Sequence, residues 1–221
     1  MTKRPEQISK AYKKSLAYDR MMSQKPLWAR SWFRLAWGFD DIAYAAPVLS
    51  FIPEGFSGRM LDVPVGTGIL TSEKYRSLPD AEIVALDYSE DMLAVARKRF
   101  MTLGLRNTYT VRGDIGELPF KGNSFDLVLS MNGFHVFPDK ERAFSEVARV
   151  LKSGGIFCGC FYVRGKKRRT DFFVRTFMVP GGWFTPPFFS IEEVMELLTT
   201  HYDGIELHNL GAIVYFKGIK R

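Results

Sequence analysis

The chain has 221 residues, 46% of them hydrophobic and 25% charged, the make-up of one large or two small globular domains and not of a disordered chain. Its net charge of +7 admits anionic partners without requiring them. The surplus is local: residues 1–37 hold nine basic and two acidic side chains, whereas residues 38–221 hold 22 of each.

Other classes fall away on composition and pattern. Cys158 and Cys160, two apart on one strand, cannot make a disulfide framework, and a reducing compartment fits them. No segment approaches the roughly 18 apolar residues of a membrane span. The opening stretch MTKRPEQISKAYKK lacks the apolar core of a secretory signal. A cytoplasmic protein without an integral anchor is expected, and neither zinc nor another metal is expected, since two cysteines and three scattered histidines give no ligand spacing.

The elements follow in chain order. Residues 1–57 read as an N-terminal helical cap, with Trp28, Trp32, Leu35 and Phe39 at i, i+4, i+7 and i+11 on one stripe. Packing on the domain is the first reading of that stripe; a membrane or partner surface is the second. From residue 58 short apolar runs alternate with helix-period segments: Met60–Val65, Ile83–Leu86, Tyr109–Val111, Phe125–Ser130 and Ile156–Val163 are strands. That alternation predicts an α/β domain over 58–221 with parallel strands and crossover helices.

A helix is expected from Ile69. A second opens at Ser89, an N-cap followed by Glu90 and Asp91, with Leu93, Ala96 and Phe100 on one face. Asp139 caps a third, apolar at Ala143, Phe144, Val147, Val150 and Leu151, which Gly154-Gly155 should stop. Ser190-Ile191-Glu192-Glu193 is a capping box opening a fourth. Ile205–Leu207 and Ala212–Phe216 around Gly211 read as a terminal hairpin. Between them residues 164–189 form an insertion, in which 179–187 is too rich in Pro and Gly for regular structure.

The chemistry concentrates after the first strand, in Leu61-Asp62-Val63-Pro64-Val65-Gly66-Thr67-Gly68. Glycines at a strand-to-helix turn let a ligand approach the backbone, and a helix start offers free amides. A tight turn alone looks the same. The next strand ends in Asp87, about 20 residues on, where a carboxylate can accept both ribose hydroxyls. A dinucleotide site shares this pairing but asks for a third glycine, and Thr71 stands there.

Taken in order, this turn, Leu86-Asp87-Tyr88-Ser89, Val111-Arg112-Gly113-Asp114-Ile115, Phe125–Ser130 and Leu151-Lys152-Ser153-Gly154-Gly155 resemble the motifs of class I S-adenosylmethionine-dependent methyltransferases. Among these the ubiquinone/menaquinone-biosynthesis type and its small-molecule relatives are most similar. The likeness covers residues 58–163. It implies a Rossmann-like sheet of seven mostly parallel strands with helices on both faces and the final strand antiparallel.

The resemblance also implies S-adenosylmethionine as cofactor, with S-adenosylhomocysteine as product. Asp62 and the backbone of Gly66, Thr67 and Gly68 would surround the methionine moiety, and Asp87 would hold the ribose. Tyr88 would lie against the adenine, Asp114 would accept from its amino group, the Ile115 amide would reach the ring, and Met131 and Asn132 would line the methyl side. Pro64 replaces the first glycine of the family's loop; it lacks an amide hydrogen and fixes φ, so adjusted cofactor binding is expected there.

Methyl transfer needs an acceptor held in line and shielded from water, not a covalent nucleophile. His135, just past the fourth strand, is the candidate base for an acidic acceptor; packing is its plainer role. Tyr18, Trp28 and Trp183 are candidate acceptor contacts on the two expected covers. The basic cluster 164–169 is a solvated patch or a contact for RNA, anionic lipid or a phosphorylated acceptor. Asn132-Gly133-Phe134-His135 differs from the signature of nucleobase N-methyltransferases, so a small-molecule acceptor is expected and nucleic acid is disfavoured. A methyltransferase-fold protein that binds cofactor or a partner without catalysis, and an RNA methyltransferase, are the competing readings. Peripheral membrane contact stays open, as does oligomeric state.

Overall fold

The computed structural model describes residues 44–221, so Tyr18 and the Trp28 stripe lie outside the described residues. The one helix of the expected cap within range is α1 (Ala45–Ser50), which buries Ala45 and Val48. There follow β1 (Arg59–Asp62), α2 (Ser72–Arg76), β2 (Glu82–Asp87), α3 (Glu90–Thr102), β3 (Thr108–Arg112), β4 (Phe125–Met131), α4 (Lys140–Val150) and β5 (Leu151–Tyr162). The chain closes with α5 (Arg168–Phe173), a π-helical turn at Val174–Met178, α6 (Ile191–His201), β6 (Tyr202–Leu210) and β7 (Ile213–Lys220).

The strands form one sheet in the order β3-β2-β1-β4-β5-β7-β6. All pairs from β3 to β5 are parallel, and β7 runs antiparallel to both of its neighbours. The chain therefore winds outward from β1 to β3, then returns to lay β4 on the other side of β1. Such a reversal opens a crevice at the carboxyl ends of the two central strands.

Successive strand residues point to opposite faces, so both faces need cover when helices flank the sheet. In β1, Met60 enters the core layer shared with Ile83, Leu127, Tyr75 of α2 and Leu93, Ala96 and Phe100 of α3. Its neighbour Leu61 enters the opposite layer, with Val84, Val128, Phe144 and Val147 of α4 and Val194 and Leu198 of α6. The near-continuous apolar runs of β1, β2 and β4 follow from this double burial.

The expected N-caps are present: Ser89 Oγ accepts from the Met92 amide, Asp139 from the Arg142 amide, and Ser190 with Glu193 closes a full capping box. Two boundaries differ from expectation. Ile69–Thr71 is a turn and α2 starts only at Ser72, because the Thr71 and Ser72 amides both bond back to Gly68 O. Helix α4 ends at Val150, and Gly154-Gly155 lie inside β5. Leu151 already pairs with Phe125, and the glycines absorb a bend in the strand: Gly154 has φ +76°, and a Cβ on Gly155 would sit 2.8 Å from Lys152 O. The terminal hairpin is longer than expected, with Leu210 opposite Ile213 across Gly211. Among the described residues no helix is long and apolar enough to cross a membrane.

Candidate cofactor site

The crevice predicted by the strand order is built from two loops. Past β1 the chain keeps contact with both neighbours in turn: the Val63 amide donates to Leu129 O of β4 and the Val65 amide to Leu86 O of β2. It then reverses through Gly66 and Gly68, both in the left-handed region at φ +58° and +71°. The two glycines serve different needs. A Cβ on Gly66 would meet open space, so only its backbone angle favours glycine, whereas one on Gly68 would lie 2.8 Å from the Phe100 ring. Arg99 Nε fixes the turn from below by donating to Thr67 O at 2.9 Å.

Asp87 holds the same turn from the side. Its Oδ2 accepts from the Gly66 amide and its Oδ1 from the Ser89 amide, each at 2.8 Å. Burial pushes this carboxyl up to about 6 against the pull of those amides. Asp62, at the end of β1, is fully buried and accepts from the Tyr75 hydroxyl. Its other oxygen, Oδ1, has no hydrogen-bond partner, nor has the buried hydroxyl of Thr71. Desolvation raises Asp62 to about 7.

The second loop follows β4. Asn132 adopts φ +57°, its amide donates to Cys160 O at 2.8 Å, and its side-chain Nδ2 donates to the Tyr44 hydroxyl at 2.7 Å. Gly133 packs under the first loop, where a Cβ would fall 2.5 Å from Pro64 Cδ and 2.6 Å from Phe137. The proline ring thus occupies the space against Gly133, which gives the departure from the family's loop a packing role. Phe134 anchors the segment in the lower core, its ring centroid 4.2 Å from that of Phe144.

Between the loops lies a cleft walled on one side by Pro64, Val65, Gly66, Thr67 and Ile69–Thr71, and on the other by Met131 and Asn132. Five of the expected cofactor residues therefore share one wall or its opposite: Pro64, Gly66, Thr67, Met131 and Asn132. Gly68, within the same turn, and Asp62, at the end of β1, do not line the cleft, and Asp87 reaches the turn through the Gly66 amide. Tyr88, Asp114 and Ile115 do not line this cleft; they follow β2 and β3, whose ends are joined by the Gly113 amide donating to Asp87 O. There Asp114 Oδ1 accepts from the Gly116 amide, Ile115 is buried and Tyr88 is half-buried.

His135 is not placed as the expected base. It is buried, its ring stacks on Phe184 at 4.0 Å, and its Nδ1 lone pair already accepts from the Tyr162 amide. Burial, with the neighbouring Lys140 charge, holds it down to about 3, so it is a neutral packing ring at physiological pH. Lys140 Nζ donates to Phe137 O at 2.9 Å and Thr185 O at 2.7 Å, and the Thr185 amide donates to His135 O. Half-buried Trp183 belongs to this strap, which clamps the insertion onto the loop after β4. Sequence reasoning missed Tyr44, Thr71, Tyr75, Arg99 and Lys140; each acts on a segment distant in sequence or through a single side chain, so no local motif marks it.

Comparison with known proteins supports the same region. Residues 60–155 match a family model described as a methyltransferase domain. A demethylmenaquinone methyltransferase of Staphylococcus aureus is 40% identical over 99 residues, covering 44% of this chain and 40% of that protein. An uncharacterized chloroplastic methyltransferase of Arabidopsis thaliana is 32% identical over 118 residues, 52% of this chain and 34% of its own length. The chain thus spans well under half the length of these curated relatives. Among solved structures, an S-adenosylmethionine-dependent methyltransferase of Thermotoga maritima superposes with TM-score 0.70 at 21% identity, covering 98% of this chain and all of that one. The Haemonchus contortus phosphoethanolamine N-methyltransferase 2, in complex with phosphomonomethylethanolamine and S-adenosylhomocysteine, gives 0.73 at 19% identity over 95% of this chain and 58% of that one. Residues 60–155 are thus similar to a methyltransferase domain, and the sheet that contains them has the fold of solved S-adenosylmethionine-dependent methyltransferases.

Proposed function

We propose that this protein transfers the methyl group of S-adenosylmethionine to a small-molecule acceptor. The observation that carries the reading is the coupled turn: Gly66 in a left-handed conformation with its amide on Asp87, after a strand whose last residue, Asp62, has a buried Oδ1 with no hydrogen-bond partner, and beside a cleft lined by Gly66, Thr67, Met131 and Asn132. A buried, unpartnered carboxylate oxygen costs stability on its own and suits a ligand bearing an ammonium group. The residues present fit the cofactor for that reason.

When bound, S-adenosylmethionine supplies an electrophilic methyl on a sulfonium. Asp62 and the Gly66-Thr67-Gly68 backbone would hold its methionine part, and Asp87 the ribose hydroxyls through lone pairs left free by the two amides. Tyr88, Asp114 and Ile115 would contact the adenine. Met131 and Asn132 would face the acceptor, whose cover we assign to the N-terminal segment and the 164–189 insertion with Trp183. The likeness to a demethylmenaquinone methyltransferase favours a small aromatic acceptor over nucleic acid. His135 positions the strap instead of moving a proton, so the acceptor's own acidity or another group must supply a nucleophilic form.

The test is formation of S-adenosylhomocysteine from S-adenosylmethionine with a panel of small quinols, phenols and amines, and with RNA. Turnover on a small molecule and none on RNA is expected; turnover on RNA alone would overturn the acceptor class. The kcat/KM profile between pH 5.5 and 7.5 should show no histidine ionisation that disappears in His135→Asn.

A further inference from the structure

Helix α5 and the π-helical turn carry an unusual outward face. Thr170 and Val174, four apart, are buried against the domain. Arg168, Phe172 and Arg175, at i, i+4 and i+7, form the opposite stripe, with Arg169 beside it. Phe172 is 68% exposed and Phe177 54% exposed, although large aromatic side chains normally find cover. Lys166, Arg168, Arg169 and Arg175 around them are also exposed. The segment's one carboxylate, Asp171, is turned inward, accepting from the Tyr162 hydroxyl at 2.6 Å and the Gly165 amide at 3.0 Å.

We infer that the segment Lys166–Met178 docks on an anionic lipid surface, with Phe172 and Phe177 entering the headgroup boundary between arginines that meet lipid charge. A helix whose exposed face alternates Arg with Phe has the chemistry of an interfacial helix. Charge decides between occupants. Lys166–Met178 holds five basic side chains against one carboxylate, a surplus that an anionic surface complements. Shape decides against RNA: stacking of single-stranded bases uses a basic groove, and here the aromatics stand on a convex helix. The proposal is independent of the methyl-transfer reading. Its consequence is that the insertion beside the candidate acceptor side would face the bilayer, where apolar small molecules concentrate.

The experiment is sedimentation of the full chain with vesicles of phosphatidylcholine alone and of phosphatidylcholine mixed with phosphatidylserine. Binding is expected only to the mixed vesicles, weakening as salt rises. Phe172→Ser with Phe177→Ser, and separately Arg168→Gln with Arg169→Gln, should each lower affinity at least about tenfold, with the melting temperature unchanged in the arginine variant and only slightly lowered in the phenylalanine variant, where the Phe177 ring also packs on Phe173. Unchanged vesicle affinity in both double variants would place any binding elsewhere and overturn the proposal. So would equal binding to the two vesicle types, or binding of a single-stranded RNA oligonucleotide that the same substitutions abolish while vesicles are ignored.

Discussion

The two loops that wall the cleft are held in opposite ways. The loop after β1 is shaped by its backbone: two left-handed glycines, amides shared between β2 and β4, and one carboxylate, Asp87, on the Gly66 amide. The loop after β4 is shaped by polar contacts with other segments: the Tyr44 hydroxyl on Asn132, the Tyr162 amide on His135, and Lys140 tying Phe137 to Thr185. A turn set by glycine dihedrals and strand-end amides can be encoded locally. A loop held by polar contacts with other segments is encoded by whatever packs on it, and those partners lie up to 88 residues away.

The largest expected effect breaks the backbone-held loop. Gly68→Val puts a β-branched residue at φ +71° and a Cβ 2.8 Å from Phe100, which should cost about 4 kcal/mol and lower the melting temperature by about 10 °C. Gly66→Ala, where the space is open, should cost only about 1 kcal/mol. Equal losses would remove the distinction drawn between the two glycines.

The side-chain-held loop is broken by Lys140→Met. The Phe137 and Thr185 carbonyls lose a buried cationic donor, at a cost of about 2 kcal/mol. Released from its clamp, the strap should raise the acceptor KM while S-adenosylhomocysteine affinity, read by calorimetry, stays the same. A fall in both would mean that the two loops are not held independently.

Asp62 sharpens the comparison through pH. Its folded pKa of about 7 lies above the ordinary 3.8 because burial disfavours the charge. The folded state therefore keeps a proton that the unfolded chain releases, and the stability it contributes is lost as pH rises through 7. Relative to Asp62→Asn, which still accepts from Tyr75, the unliganded wild type should lose about 2 kcal/mol between pH 5 and 7, measured by denaturant unfolding. A parallel pH dependence in the two proteins would contradict the raised pKa. The smallest effect belongs to Tyr44→Phe, which removes one hydrogen bond to Asn132 and should cost about 1 kcal/mol.

The same contrast explains what was legible in the sequence. The apolar alternation and the N-caps at Ser89, Asp139 and Ser190 are local patterns, and the structure has them; the bond from the Gly66 amide to Asp87, 21 residues on, was not legible. The start of α2 at Ser72 was not legible, since it depends on Gly68 O capturing two amides. Nor was the entry of Leu151 directly into β5, which depends on pairing with Phe125. His135 misled because position after β4 suggests chemistry, while its burial under Phe184 and its bond from Tyr162 come from segments about 27 to 49 residues on. The charge surplus of residues 1–37 lies outside the described residues, and the electrically balanced remainder contains every residue of the cleft.

The account stands most directly on Asp87. Calorimetric titration of S-adenosylhomocysteine should give one saturable site per chain, weakened at least tenfold, about 1.4 kcal/mol, in Asp87→Ala. No binding to the wild-type protein at millimolar ligand, or equal affinity in the variant, would contradict it.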